Sequence, residues 1–463
     1  MIPAHFITNS RRAMDSLGSK INDLCNKHYN TLPKKGKPAA NQWTVLSAVV
    51  MELSGNLTVL TMATGTKCVG EEQKTPHIVS DSHAEVLSLR LFRLFLVEDI
   101  TTCLKSGGGL CLQKGVDGRF VVKEGVTLHF YSSCVMCGDA TISESDPKQT
   151  DKKESKSVTD NIDDCVSTRK RPSAECNSSY SKHPKLDQLD QMSRTGAKCL
   201  LSDNFHTDTL KARSWRKTSV LRTKPGRGPV CLSLSCSDKL MKRQFLGLQG
   251  GLLSKFLPAP IRFSSFCIGG DFSMSSVKRA LLNRLPDNLL PPPQILKVED
   301  AFVNSANNCK CNSGDVIAAS GDVIAAIGDV IAASGDVIAA SSSLLWMKHG
   351  EQDLQWAGVK GKLQGATKSS SQVKIMLPVC RAAMLKQATV LSSLLESGGN
   401  VSVQDSKPLL EKDEFSRQYL FFKCESSYKN SKAEFCKYFV GWDRKVSGKI
   451  HRTSQNIEKE NGK

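Results

Sequence analysis

Residues 80–95, "SDSHAEVLSLRLFRLF", carry the reading of this chain. The stretch begins polar and turns apolar. Asp81 or Ser82 is placed to cap a helix whose apolar positions are Val86, Leu87, Leu91, Leu94 and Phe95. At the start of that helix stand His83 and Glu85. A His and a Glu at such a place are more often a cap and a surface pair. The other reading is a metal ligand followed by a proton carrier, and the rest of the chain decides between them.

Outward from this helix the pattern is that of an α/β chain. Upstream, "WTVLSAVVMEL" at 43–53 reads as a buried element, and "GNLTVLTMATGTKCVG" at 55–70 as a strand entering a glycine turn. Downstream, "GVTLHFYSS" at 125–133 has the β-branched and aromatic content of a strand, and "CGDATI" at 137–142 reads as the chain turning into a second helix. Residues 143–190 are rich in Ser, Asp and Lys, a low-complexity insertion or linker. Beyond them, "PVCLSLSCSDK" at 229–239 reads as strand and turn, "GLQGGLLSKF" at 247–256 as a helix and "IRFSSFCIGG" at 261–270 as a strand. Residues 314–341 hold four copies of a heptad, GDVIAAS or GDVIAAI. Period seven suggests a coiled coil, but glycine recurs in every copy and no basic residue balances the Asp. The repeat therefore reads as a tandem expansion in a surface loop, drawn at 305–343. The C-terminal third reads as helical and basic, and residues 447–463 as a disordered tail.

A net charge of +18 and a pI near 9.2 call for a polyanionic partner. Nucleic acid comes first, ahead of a phosphorylated small molecule or an acidic membrane. Seventeen scattered cysteines suit free thiols in a reducing compartment, hence an intracellular protein of nucleus or cytoplasm. A basic cluster, "TRKRPS" at 168–173, could serve nuclear import. The first twenty residues have no long apolar core, so no leader is expected, and no apolar run is long enough to span a bilayer.

A zinc-activated water is a nucleophile at neutral pH, and a catalytic zinc uses three protein ligands and an open fourth position. A base deaminase adds a glutamate that moves protons without binding the metal. The cysteines offer two completions of His83-x-Glu85. One is Cys134 with Cys137, a C-x-x-C after a strand, preceded by Ser133 where nucleoside-type deaminases have Pro. The other is Cys137 in "CGDATI" with Cys236 in "SCSDK", each following a strand-like run.

"DSHAE", "CGDA" and "SCSDK…LGLQG", in that order, resemble the adenosine-to-inosine deaminases that act on RNA. The resemblance implies His83, Cys137 and Cys236 as zinc ligands and Glu85 as the acid/base, leaving Cys134 a spare thiol. "LPKKGKP" at 32–38, "QWTVLSAVV" at 42–50, "GTKCVG" at 65–70, "RTGAKC" at 194–199 and "KPGRG" at 224–228 are similar to the tRNA-acting members of that family. The resemblance implies a deaminase domain over 21–446, interrupted by the insertion and the repeat. It would have a cytidine-deaminase-like core: a central mixed sheet flanked by helices, extended by a helical C-terminal part, with zinc at two helix N-termini and a loop. The expected reaction is hydrolytic deamination of adenosine to inosine in tRNA, on the 3′ side of the anticodon, in alanine tRNA. No double-stranded-RNA-binding domain is read ahead of these motifs, in keeping with tRNA as partner; neither DNA nor a membrane is expected.

The same resemblance implies a buried inositol hexakisphosphate. Positions matching its binding set are Lys67, Arg90, Lys239, Lys242, Tyr428, Lys432, Trp442 and Lys445. Thr66 and Arg227 match positions that approach the substrate nucleoside. Three departures stand out: Met136 where a Pro precedes the ligand Cys, Leu89 where an Arg pairs with Arg90, and Arg243 with Gln244 where Trp and Asn are usual. Two other readings remain: an inactive RNA-binding relative, and a cytidine- or nucleotide-type zinc deaminase using Cys134 and Cys137.

Overall fold

A computed structural model describes residues 4–142, 198–200, 205–207, 219–224, 231–285, 291–299, 301–312, 337–367, 370–396, 412–423, 426–439 and 442. The insertion at 143–190, most of the heptad repeat, the tail, Arg227 and Lys445 lie outside the described residues.

Helix α1 (Ala4–Thr31) leads into strands β1 (Leu46–Leu53) and β2 (Asn56–Thr64). Short strands β3 (Thr66–Cys68) and β4 (Asp81–His83) come next, then helix α2 (Ala84–Ser106) and strand β5 (Thr127–Ser132). Helix α3 (Cys236–Leu246) precedes strands β6 (Ser265–Gly269), β7 (Gln294–Val298), β8 (Ser342–Met347), β9 (Leu354–Val359) and β10 (Lys362–Leu363). Helices α4 (Arg381–Glu396), α5 (Lys412–Lys423) and α6 (Ser426–Tyr438) complete the order. Eight strands form one sheet in the order β7-β6-β5-β1-β2-β8-β9-β10. The pairs β7/β6 and β6/β5 are parallel and the rest antiparallel, so the sheet is mixed.

The continuous apolar run of β1 is explained by burial on both faces. Val49 and Met51 face α2 with Leu60, Phe130 and Phe266. Leu46, Ala48 and Val50 face the other way, where Ile21, Cys25 and Tyr29 of α1 cover them. β1 and β2 are joined by Ser54 and Gly55, both at positive φ (51° and 79°), the two-residue turn whose twist suits a hairpin. The domain start drawn at 21 falls inside α1, which packs on the sheet from Leu17 onward.

Three further expectations are corrected. The helix expected from "CGDATI" is only a 3-10 turn, Asp139–Thr141, because the Asp139 carboxylate is engaged by Arg279 and Arg222 rather than left to cap a longer helix. The cap of α2 is His83, not Asp81 or Ser82, and no side chain caps it. The stretch drawn as a loop at 305–343 includes a helix at Ala306–Asn312 and strand pairing at Ile338–Ala339 and from Ser342. Residues 337–341, the described part of the last heptad copy, are thus part of the fold. Val337 and Ala340 are buried, Val337 against Trp43 and Cys309, and Ile338 and Ala339 pair in parallel with Gln42 and Trp43. The C-terminal helices also belong to the body: Phe415 joins the core on the α2 side, and Phe435, Phe439 and Trp442 pack on Met241 and Phe245 of α3.

Candidate metal centre and the adjoining cationic cavity

His83, Cys137 and Cys236 come together although 153 residues separate the first from the last. β4 delivers His83 to the N-terminus of α2, paired with Thr66 across β3. Cys236 is the first residue of α3, whose N-cap Ser235 accepts from the Asp238 amide at 3.2 Å. Cys137 lies beyond the end of β5 and accepts the Cys236 backbone N–H at 3.4 Å, while its own carbonyl takes the Ser237 amide at 3.1 Å. Helix N-terminal amides favour a thiolate. Gly138 makes this approach possible. Its φ is +109°, and a Cβ there would meet Ser235 Oγ at 2.2 Å.

The donor atoms of His83, Cys137 and Cys236 lie within 4.8 Å of one another. His83 Nδ1 and Cys236 Sγ are 3.6 Å apart. One imidazole and two thiols converging in this way can hold a soft or borderline divalent metal. Cys134 stands apart from this group, its thiol bonded to the Val135 carbonyl at 3.6 Å. Glu85, in the first turn of α2, is 3% exposed, and its Oε2 has no hydrogen-bond partner among the described residues. A buried carboxylate oxygen without a partner is costly unless a ligand or water supplies one. Met136 is fully buried in the core, where its thioether packs in place of the expected Pro.

Lys224 and Asp81 are two functional candidates that sequence reasoning passed over. Lys224 Nζ is 2.7 Å from Cys236 Sγ, 3.7 Å from Cys137 Sγ and 3.3 Å from Asp81 Oδ1. Burial opposes the ammonium, but Asp81 and the two thiols outweigh it and raise the Lys224 pKa well above its ordinary value. The hydrogen bond from Cys236, and then Lys224, hold the Cys137 thiol well below its usual range against the effect of burial. Asp81 in turn pairs with Lys239, and Lys224, Lys239 and His83 keep its carboxyl well below the ordinary value despite burial. Lys224 opens "KPGRG", and Asp81 opens "DSHAE"; their roles appear only when β4 and the segment before α3 meet.

On the other side of Asp81 lies a cationic cavity. Two connected lobes, about 390 and 430 Å³, share Arg90, Arg93, Lys242, Arg243, Arg381 and Trp442. None of these five cations makes an ion pair with a carboxylate among the described residues, and Arg243 Nη1 is buried with no hydrogen-bond partner. Burial, then Arg243 and Arg90, depress the Arg93 pKa; burial, then Arg243, Lys432 and Lys423, depress that of Lys242. Burial would raise the Tyr419 phenol, but Lys423, Arg90 and Arg381 bring it down to about 8. Of the residues expected around a polyphosphate, Arg90, Lys242, Tyr428, Lys432 and Trp442 line the first lobe or both, and Lys239 lines the second. Lys67 does not: it is exposed on β3, where it pairs with Ser82. Arg93, Arg381 and Lys423 were not foreseen. Arg93 lies three residues after Arg90, one helical turn on, which is the signal that could have found it. Leu89, which replaces an expected Arg, is buried and lines the second lobe, where Arg243 supplies a positive charge. Thr66 lies beside His83, its hydroxyl 3.5 Å from the Ala340 carbonyl.

The model of the adenosine-deaminase (editase) domain family matches residues 61–445, and the chain belongs to that family. The α/β sheet with flanking helices is consistent with a cytidine-deaminase-like fold. The chain is 35% identical over 272 residues to tRNA-specific adenosine deaminase 1 of Drosophila melanogaster, covering 57% of this chain and 58% of that protein. It is 29% identical over 347 residues to tRNA-specific adenosine deaminase 1 of Homo sapiens, covering 57% and 68%. It is 27% identical over 288 residues to the double-stranded RNA-specific editase Adar of Drosophila melanogaster, covering 59% and 36%. The matched region thus spans little more than half the length of the fly tRNA deaminase. Among the described residues, no helix is long and apolar enough to cross a membrane.

Proposed function

We propose that this chain is a zinc-dependent hydrolase that converts adenosine to inosine in tRNA, on the 3′ side of the anticodon, with alanine tRNA as the substrate the resemblance favours. The observation that carries this reading is the buried, partnerless Oε2 of Glu85 beside the His83–Cys137–Cys236 group. Zinc fits these donors. Bonds of about 2.05 Å to nitrogen and 2.3 Å to sulfur at a tetrahedral angle place N and S roughly 3.6 Å apart. His83 Nδ1 and Cys236 Sγ are 3.6 Å apart. When bound, zinc supplies a water acidified to near-neutral pKa.

The chain's own groups do the rest. Glu85 Oε2 takes a proton from the attacking water and passes it to N1 of the base; it then takes the proton of the new C6 hydroxyl and gives it to the amine, which leaves as ammonia while the C6 carbonyl forms. Lys224 offsets the negative charge of the two thiolates. Thr66 flanks the base, and Arg227 contacts the phosphate or stacks on a base of the unpaired loop. We assign inositol hexakisphosphate to the cationic cavity, because half-buried cations lacking carboxylate partners among the described residues need a polyanion of comparable charge. Asp81 and Lys239 then link that ligand to Lys224 and the centre.

The test is incubation of the purified protein with total tRNA, then sequencing, with inosine read as A-to-G changes. A change confined to the nucleotide after one anticodon supports the proposal. Stoichiometric zinc with no change in any tRNA overturns it in favour of an inactive RNA-binding relative.

A further inference from the structure

Residues 337–341 of the last heptad copy lie close to the metal centre. The Ile338 amide donates to the Asn41 carbonyl at 3.1 Å and the Ala340 amide to the Trp43 carbonyl at 2.9 Å. Val337 and Ala340 are 4% and 1% exposed, and Val337 packs with Trp43, Ala306 and Cys309. Main-chain bonds and a small apolar cluster therefore pin the segment in place. So pinned, it closes on the turn that enters β3. Gly65 is squeezed there: a Cβ on it would meet the Ser82 carbonyl oxygen at 2.0 Å and Ser343 Oγ at 2.6 Å. The Gly65 carbonyl accepts the amide of Ala84, the residue between His83 and Glu85, at 2.9 Å. Thr66 follows, directly opposite His83 across β3 and β4. Opposed residues of an antiparallel pair carry their side chains on one face, so Thr66 shares the face of the candidate ligand. Its hydroxyl donates to the Ala340 carbonyl at 3.5 Å. A hydroxyl has one proton and two lone pairs. With the proton given to Ala340, Thr66 offers a bound molecule only acceptor capacity.

We propose that the last heptad copy is a positioning element of the nucleoside site: the Ala340 carbonyl fixes the Thr66 hydroxyl as a hydrogen-bond acceptor for an N–H or O–H group of the nucleoside. The proposal rests on the deaminase reading above. A main-chain carbonyl does the orienting, so the side chain at 340 matters less than the docking of the segment. Val337 is the anchor of that docking, and it can be truncated without altering Thr66, Glu85 or any of the three candidate metal ligands. Loss of the anchor frees the Thr66 hydroxyl to rotate, and the acceptor is then aimed at the nucleoside only part of the time.

Full-length, zinc-loaded wild type is compared with Val337→Gly, Thr66→Val, Thr66→Ser and the Val337→Gly/Thr66→Val double variant. Deamination kinetics are measured on the tRNA that wild type modifies, and hydrogen exchange is measured on wild type and Val337→Gly. One neutral hydrogen bond sets the scale, so Val337→Gly and Thr66→Val should each lower kcat/KM about three- to tenfold. Zinc content should be unchanged, and Thr66→Ser, which keeps the hydroxyl, should retain the wild-type value. The double variant should be no slower than Thr66→Val, because both changes act through one hydroxyl. Effects that multiply would make the segment a structural prop alone and overturn the proposal, as would wild-type kinetics in Val337→Gly. In Val337→Gly the peptide carrying Gly65 to Cys68 should exchange faster while β5 is unchanged; equal exchange at Gly65 to Cys68 also overturns it. Wild-type protein that deaminates no tRNA defeats the function proposed above and this proposal with it, whereas active wild type with unaffected variants defeats this proposal alone. If Val337→Gly does not fold, Val337→Ala takes its place under the same criteria.

Discussion

Glu85 and Asp81 are both buried carboxylates at the head of α2, and their surroundings give them opposite roles. Asp81 is saturated by Lys224, Lys239, Ser233 and the His83 amide. Glu85 keeps an oxygen without a partner among the described residues. Glu85→Ala should therefore lower the rate of inosine formation by at least about 10²–10⁴-fold, the span of general acid–base contributions. Zinc measured per chain should be unchanged; loss of zinc would make Glu85 a ligand. Asp81→Asn should act on stability instead. Its folded pKa is depressed, so the stabilisation is present above the unfolded value of about 3.9 and is lost as pH falls through the folded value. At pH 7 the variant should be less stable by about 3–5 kcal/mol, since a buried ion pair is broken. The gap in melting temperature should close in acid, and an equal gap at pH 7 and below the folded pKa would contradict the assignment.

At the scale of elements, the centre depends on three chain segments meeting at two helix starts. The Cys137 turn approaches α3 so closely that only hydrogen fits at Gly138. Gly138→Ala should displace Cys137 from the Cys236 amide and weaken zinc binding at least tenfold in a competition titration against a chelator. The strained φ adds roughly 1–2 kcal/mol of destabilisation. Retention of zinc affinity would mean that the turn is more pliant than its contacts imply. α2 was legible because its apolar run is local, although its cap is His83 rather than Asp81 or Ser82. The 3-10 turn at Asp139–Thr141 was not, because its carboxylate is satisfied by Arg222 and Arg279, far away in sequence.

At the scale of the molecule, the cationic cavity gathers side chains from α2, α3, α4, α5, α6 and Trp442. Like charges held together in low dielectric oppose folding until a polyanion joins them. Inositol hexakisphosphate at about 100 times its Kd should stabilise the protein by roughly 2.7 kcal/mol. Arg243→Leu should raise the melting temperature of ligand-free protein and reduce the ligand-induced shift. A variant less stable in both states, with the shift intact, would remove Arg243 from the site.

The sequence by itself determined the α/β class and the basic balance, because these rest on local periodicity and composition, whereas the three candidate metal-site segments and Glu85 as acid/base candidate came through motif resemblance. It also pointed to Arg90, Lys242, Tyr428, Lys432 and Trp442 through motif resemblance. Tertiary structure alone decided that Lys224 and Asp81 bridge the centre to the cavity, that Arg93, Arg381 and Lys423 line it while Lys67 does not, and that Val337 of the last heptad copy joins a buried cluster. Charge and hydrophobicity are carried by each residue. Which charges share a cavity, and which apolar residues share a core, depends on contacts between segments that no local pattern encodes.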